Sequence, residues 1–168
     1  EHVYMASDGD AVVYCGGIDM SNNQPAAAAG SMTSELLDAY EEGTFTGTWT
    51  GGDGDPTSAA TATMYYTKIG NQVTCWIAFA NKDLSGSSGQ MKITGLPFTA
   101  SSVSNIEAPC SSLFFHSLSI DADKVQTFRV AGGTTYLEGY ESSGGAWAAW
   151  AITAASGKYI KFSVTYFV

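Results

Sequence analysis

The chain has 168 residues, a length suited to one domain or to one domain with an attached segment. Seven Lys+Arg against 16 Asp+Glu give a formal charge of −9, which leaves no basic stripe for nucleic acid and no attraction to an anionic lipid surface. Only 14% of residues are charged while 45% are hydrophobic, with nine Tyr, eight Phe and four Trp; this composition excludes disorder and suits an all-β protein with polar, uncharged surfaces.

In chain order, Val3-Tyr4-Met5 and Ala11–Cys15 are short β-like pieces parted by Asp8-Gly9-Asp10 and Gly16-Gly17. Strands this short need partners from other chains or from sequence upstream. Glu1-His2-Val3-Tyr4 has neither the basic nor the apolar region of a secretory leader, and no initiator Met stands there, so the chain is expected to be the end of a longer protein. Residues 21–30 have the composition of a linker, and residues 1–30 are read as an N-terminal stalk or trimerisation segment. Residues 31–43 carry the one helical signal, with Ser31 as cap, Leu36, Leu37 and Tyr40 at compatible spacing, and Gly43 as stop; a short helical junction is expected there.

Residues 44–168 read as β throughout and form the expected head domain. Val73, Cys75, Ile77 and Phe79 share one face of a strand, with Thr74, Trp76 and Ala78 on the other. Further strands are expected at 44–50, 62–69, 91–94, 113–118, 125–130, 134–140, 147–153 and 159–168, with Gly, Ser, Asn or Asp in nearly every gap. About nine short strands without intervening helices predict an antiparallel β-sandwich of jelly-roll type. The longest nearly uncharged apolar stretch, Gly145 to Ile152, is too short to cross a bilayer.

Little in the sequence points to catalysis. Asp8-Gly9-Asp10, Asp53-Gly54-Asp55 and Asp121-Ala122-Asp123 could offer oxygen to a hard cation, but none continues into a calcium loop, and Asp in tight turns accounts for them. His116, in the run Leu113–His116, reads as a core or interface residue, and no serine has a nucleophile-elbow context. Cys15, Cys75 and Cys110 form no CxxC and no pattern with His2 or His116, and are read as free buried thiols. No catalytic residue, metal site or cofactor is therefore assigned.

The aromatics carry more. Trp147 and Trp150 lie among Gly and Ala, three residues apart, and so point to opposite faces of a regular strand. Tyr136, Tyr140, Trp147 and Trp150 surround Ser142-Ser143-Gly144-Gly145. They are either core and interface residues or a platform on which sugar rings stack.

One further pattern is visible. Residues 34–45 resemble the motif, often written LDDYEEGTWTP, that opens the C-terminal domain of many tailed-bacteriophage fibre and spike proteins. Gly17–Ser21 looks like the preceding GIxFS element, Tyr66–Thr74 is similar to YTKIGNxVT, Gly95–Phe98 matches GLPF, and 159–168 looks like the closing aromatic strand. Ala39, Phe45 and Gly47 depart from the motif. The resemblance implies a homotrimeric virion fibre, joined to other virion proteins through sequence upstream, whose head meets a host-surface receptor, a glycan above all. From the acidic charge balance and the short apolar stretches, neither a nucleic-acid partner nor membrane insertion is expected. A polysaccharide-depolymerase domain and a purely structural trimerisation or capsid-decoration knob stand as alternatives.

Overall fold

A computed structural model describes residues 40–103 and 108–168, together with the backbone of 18–19 and 36–37. The described chain is all-β. Its strands are β1 (Ile18–Asp19), β2 (Leu36–Leu37), β3 (Glu41–Gly51), β4 (Ala60–Ile69), β5 (Gln72–Lys82), β6 (Met91–Thr94), β7 (Ala108–Pro109), β8 (Phe114–His116), β9 (Val125–Val130), β10 (Tyr136–Ser142), β11 (Trp147–Ala149) and β12 (Lys158–Phe167). The nine expected strands are all present, as β3–β6 and β8–β12. The helical junction expected over 31–43 is corrected where the residues are described: Leu36–Leu37 pair with Ile18–Asp19, and Glu41–Gly43 open β3 against Tyr66–Lys68. Ladder bonds over the whole length of β4 outweigh one or two turns of helix whose acidic Glu41-Glu42 end opposes the helix dipole. The short strands expected within residues 1–15, and Cys15, lie outside the described residues.

β3 shows why these residues are extended. Its inward positions Gly43, Phe45, Gly47 and Trp49 alternate small and large. A Cβ on Gly43 would come within 2.7 Å of the Tyr66 ring, and one on Gly47 within 2.9 Å of the Met64 side chain. The glycines make room for the large side chains of β4, and Trp49 fills the space beyond them, fully buried and 5.4 Å from the Phe79 ring. β4 and β5 are joined by the two-residue turn Gly70-Asn71, where Gly70 takes the positive φ of 58° that such hairpins favour at their first position.

Ten strands form one antiparallel sheet in the order β7-β9-β10-β6-β3-β4-β5-β12-β8, with β11 added to β10 beside β6. The sheet curls over its own core, giving a sandwich-like domain from one continuous sheet. The segment 108–116 links the two ends of that order. The Cys110 N–H donates to the Phe128 carbonyl on β9 at 2.8 Å, and the next N–H, of Ser111, donates to the Ser163 carbonyl on β12 at 2.9 Å. Inside the curl, Phe128 and Phe162 stack at 5.2 Å. Val73, Cys75, Ile77 and Phe79 are buried, as their alternation predicted, among Met91, Ile93, Leu137, Ile160 and Val164 in a single core.

Candidate functional site

β10 turns Tyr136, Glu138 and Tyr140 outward and Leu137 and Gly139 inward. Register then assembles the surface around them. Glu138 lies opposite Arg129 of β9 on one side and Lys92 of β6 on the other. The result is a charge ladder across three strands, with Lys92 Nζ 3.6 Å from Glu138 Oε1 and Arg129 Nη2 3.9 Å from Glu138 Oε2. Tyr136 and Tyr140 flank it, and each ring lies under a cation: Lys92 Nζ is 4.9 Å from the Tyr136 centroid, and the Arg129 guanidinium is 4.8 Å from that of Tyr140.

β11 completes the surface. Its register sets Trp147 opposite Ser142, on the same face as Tyr140. The indole meets Tyr140 edge-on at 5.7 Å and lies 5.7 Å from the same guanidinium. Arg129 therefore spans both rings, while the Tyr140 hydroxyl donates to Glu138 Oε2 at 2.9 Å and accepts from Arg129 Nη2 at 3.2 Å. Trp147 is 66% exposed, one of the most exposed large side chains described. The surface thus offers an open indole and two tyrosine rings held by hydrogen-bonded charges, so rings are available for stacking with polar groups at their edges.

Three of the four aromatics picked from the sequence, Tyr136, Tyr140 and Trp147, come together here. Trp150 does not. The chain leaves β11 after Ala149, and the indole of Trp150 is 1% exposed, packed on Phe128 at 5.7 Å and Phe115 at 6.0 Å, with its Nε1–H donated to the Ser119 carbonyl at 3.0 Å. The odd spacing put the two indoles on opposite faces, and the core took the second. Sequence reasoning missed Lys92, Arg129 and Glu138, because only the pairing of β6, β10 and β9 places them side by side.

The other singled-out residues fall elsewhere. Asp55 accepts from the Thr50 hydroxyl. Asp121 accepts from the Asp123 N–H at 3.1 Å, and this bond, with Lys124 beside it, holds its carboxyl below the usual range. Asp121 also closes a turn, its carbonyl accepting from the Lys124 N–H at 3.1 Å; Asp8 and Asp10 lie outside the described residues. Among the described residues no group of three His, Cys, Asp or Glu is placed to hold a metal. His116, expected in a core or interface, is exposed on this chain, edge-on to Tyr159 at 5.6 Å, because Phe115 takes the inward position of β8. Cys75 is buried and its thiol is pushed up to about 12 by desolvation, whereas Cys110 is only half-buried.

Fold and surface together define an all-β, sandwich-like domain with an exposed aromatic face. Among solved structures, the chain is similar to the crystal structure of Dettilon tailspike protein (gp208), with a TM-score of 0.60 at 16% sequence identity, over 77% of this chain and 24% of that one. The likeness is one of fold, and the chain spans about a quarter of the tailspike's length. No protein-family profile matches the chain, and no curated protein does.

Proposed function

We propose that this chain is the head of a bacteriophage tail fibre or spike, working as a homotrimer in the virion, and that it recognises a glycan on the host surface through Tyr136, Tyr140 and Trp147. The observation that carries the reading is the exposed indole of Trp147 beside Tyr140, oriented by Arg129 and Glu138. Sugar rings present apolar C–H faces that stack on flat aromatic rings, and Glu138 and Arg129 provide an acceptor and donors for hydroxyls at the edges. The tailspike fold and the fibre-like motifs of residues 34–45, 66–74 and 95–98 support the virion setting. Three copies on one axis would raise a weak single-site affinity by avidity.

The reading is of a binding head without catalytic action. An array of bacterial surface polysaccharides probed with the full chain tests both halves of it. The expected outcome is retention on at least one polysaccharide, lost in Trp147→Ala, with no release of reducing ends. Steady release of reducing ends would make the chain a depolymerase. Equal retention of wild type and Trp147→Ala would remove the site.

A further inference from the structure

A second exposed aromatic pair lies apart from the β9–β10–β11 surface. On the outward face of β12, β5, β4 and β3, register aligns Ser163, Trp76, Tyr65 and Thr44 in one row and Thr165, Thr74, Thr67 and Glu42 in the next. Tyr65 is 64% and Trp76 48% exposed, and they are direct cross-strand neighbours. Tyr65, Tyr66 and Trp76 line an open groove of about 370 Å³ together with Glu42–Thr44 and Thr67. The outward positions further along are Thr46, Thr48, Thr61 and Thr63 on β3 and β4, Ala78 and Ala80 on β5, and one cation, Lys161, on β12.

We infer that this face is where a second copy of the chain packs. Three properties favour that occupant. First, two chains of charge −9 repel one another, so self-contact is cheapest where charge is lowest, and Glu42 is the one charged residue among the eight positions of the two rows. Second, exposed Trp and Tyr set among uncharged residues is the composition of an interface core, which is rich in aromatics and poor in Lys, Glu and Asp. Third, the face is broad, lying on the outer side of the curled sheet. Four strands about 4.8 Å apart, each about ten residues long at about 3.3 Å per residue, span roughly 500–600 Å² in projection. That is of the order of the ~800 Å² of accessible surface that each partner gives to a standard interface. The inference rests on the proposed self-assembly and not on the receptor reading, since it leaves the ligand of Tyr136, Tyr140 and Trp147 open.

The test is photo-cross-linking of the full chain carrying Tyr65→p-benzoylphenylalanine, with Trp147→p-benzoylphenylalanine as the control face. The expected result is a covalent product of twice the chain mass from position 65, at least tenfold more than from position 147. Adding Trp76→Glu to the position-65 chain should suppress that product at least tenfold while the β-type circular dichroism spectrum is kept. Thr67→Lys on the same face gives the same reading should Trp76→Glu lose that spectrum. Equal yields from the two positions, a product that survives both substitutions, or cross-links confined to one chain would overturn the assignment. Light scattering on the same samples separates the failures: an oligomer without the position-65 product puts the contact on another face, and a monomer overturns the self-assembly itself.

Discussion

Trp147 and Trp150 are three residues apart, and replacing each with Ala should have opposite consequences. Trp150 is enclosed by Phe115 and Phe128 and donates its Nε1–H to Ser119. Its removal leaves a cavity the size of an indole, a loss of about 3–5 kcal/mol, with about 1 kcal/mol more for the hydrogen bond. In a domain of this size each kcal/mol moves Tm by about 2–4 °C, so a fall of roughly 10–20 °C is expected. Trp147 has only one ring contact and one guanidinium to lose, together about 0.5–1.5 kcal/mol, or roughly 1–5 °C. Thermal melts followed by circular dichroism, run beside polysaccharide binding, read both. Trp150→Ala should melt early and, at a temperature where it is still folded, bind as wild type does. Trp147→Ala should melt nearly as wild type and fail to bind. Equal falls in Tm for the two variants would refute the division into a core indole and a surface indole.

Arg129→Ala should weaken polysaccharide binding about tenfold or more with little change in Tm, since it frees the Tyr140 and Trp147 rings without opening the core; binding at wild-type strength would show that the guanidinium does not orient them. Cys75 should resist thiol reagents in the native state and react on unfolding, whereas the half-buried Cys110 should react earlier; mass spectrometry of alkylated protein reads the order. The same thiol predicts a pH dependence. Its folded value is raised from the ordinary 9.0 to about 12, so its contribution is fully present below pH 9 and is lost as pH rises toward 12, because the unfolded thiol ionises first. Each pH unit in that window is worth up to about 1.4 kcal/mol, and Cys75→Ala should flatten the decline in a series of denaturant melts. Gly95→Ala should be severely destabilising: Gly95 has φ +91°, and a Cβ there would stand 2.4 Å from the Thr46 carbonyl oxygen. A denaturant midpoint equal to wild type would contradict that geometry.

Strand existence was legible because it is written locally. Alternation along Val73–Phe79 and Gly or Ser between runs are signals within a few residues of one another, and the structure follows them almost element by element. Closure was not legible. β7 and Cys110 bond to β9, and Ser111 bonds to β12, far along the chain, while Ala108-Pro109 has no strand signature of its own. The same limit applies to the site. The spacing of Trp147 and Trp150 showed that they face opposite ways, but which side was core depended on the packing of Phe128 and Phe115 against Trp150. The ladder Lys92–Glu138–Arg129 exists only once three strands are in register. Residues 31–43 read as a short helical junction because leucine spacing fits two periods over so short a run, and at 36–37 and 41–43 pairing with distant strands decided between them.

The central claim, that the β9–β10–β11 face is the receptor surface, is tested most directly by adsorption of the fluorescently labelled full chain to intact cells across a panel of bacterial strains. The account predicts a strain that binds the wild type and a variant of the exposed Phe114, Phe114→Ser, alike, and binds Trp147→Ala and Tyr140→Ala at least tenfold less, all four with matching circular dichroism spectra. Adsorption of Trp147→Ala and Tyr140→Ala at the wild-type level would contradict it.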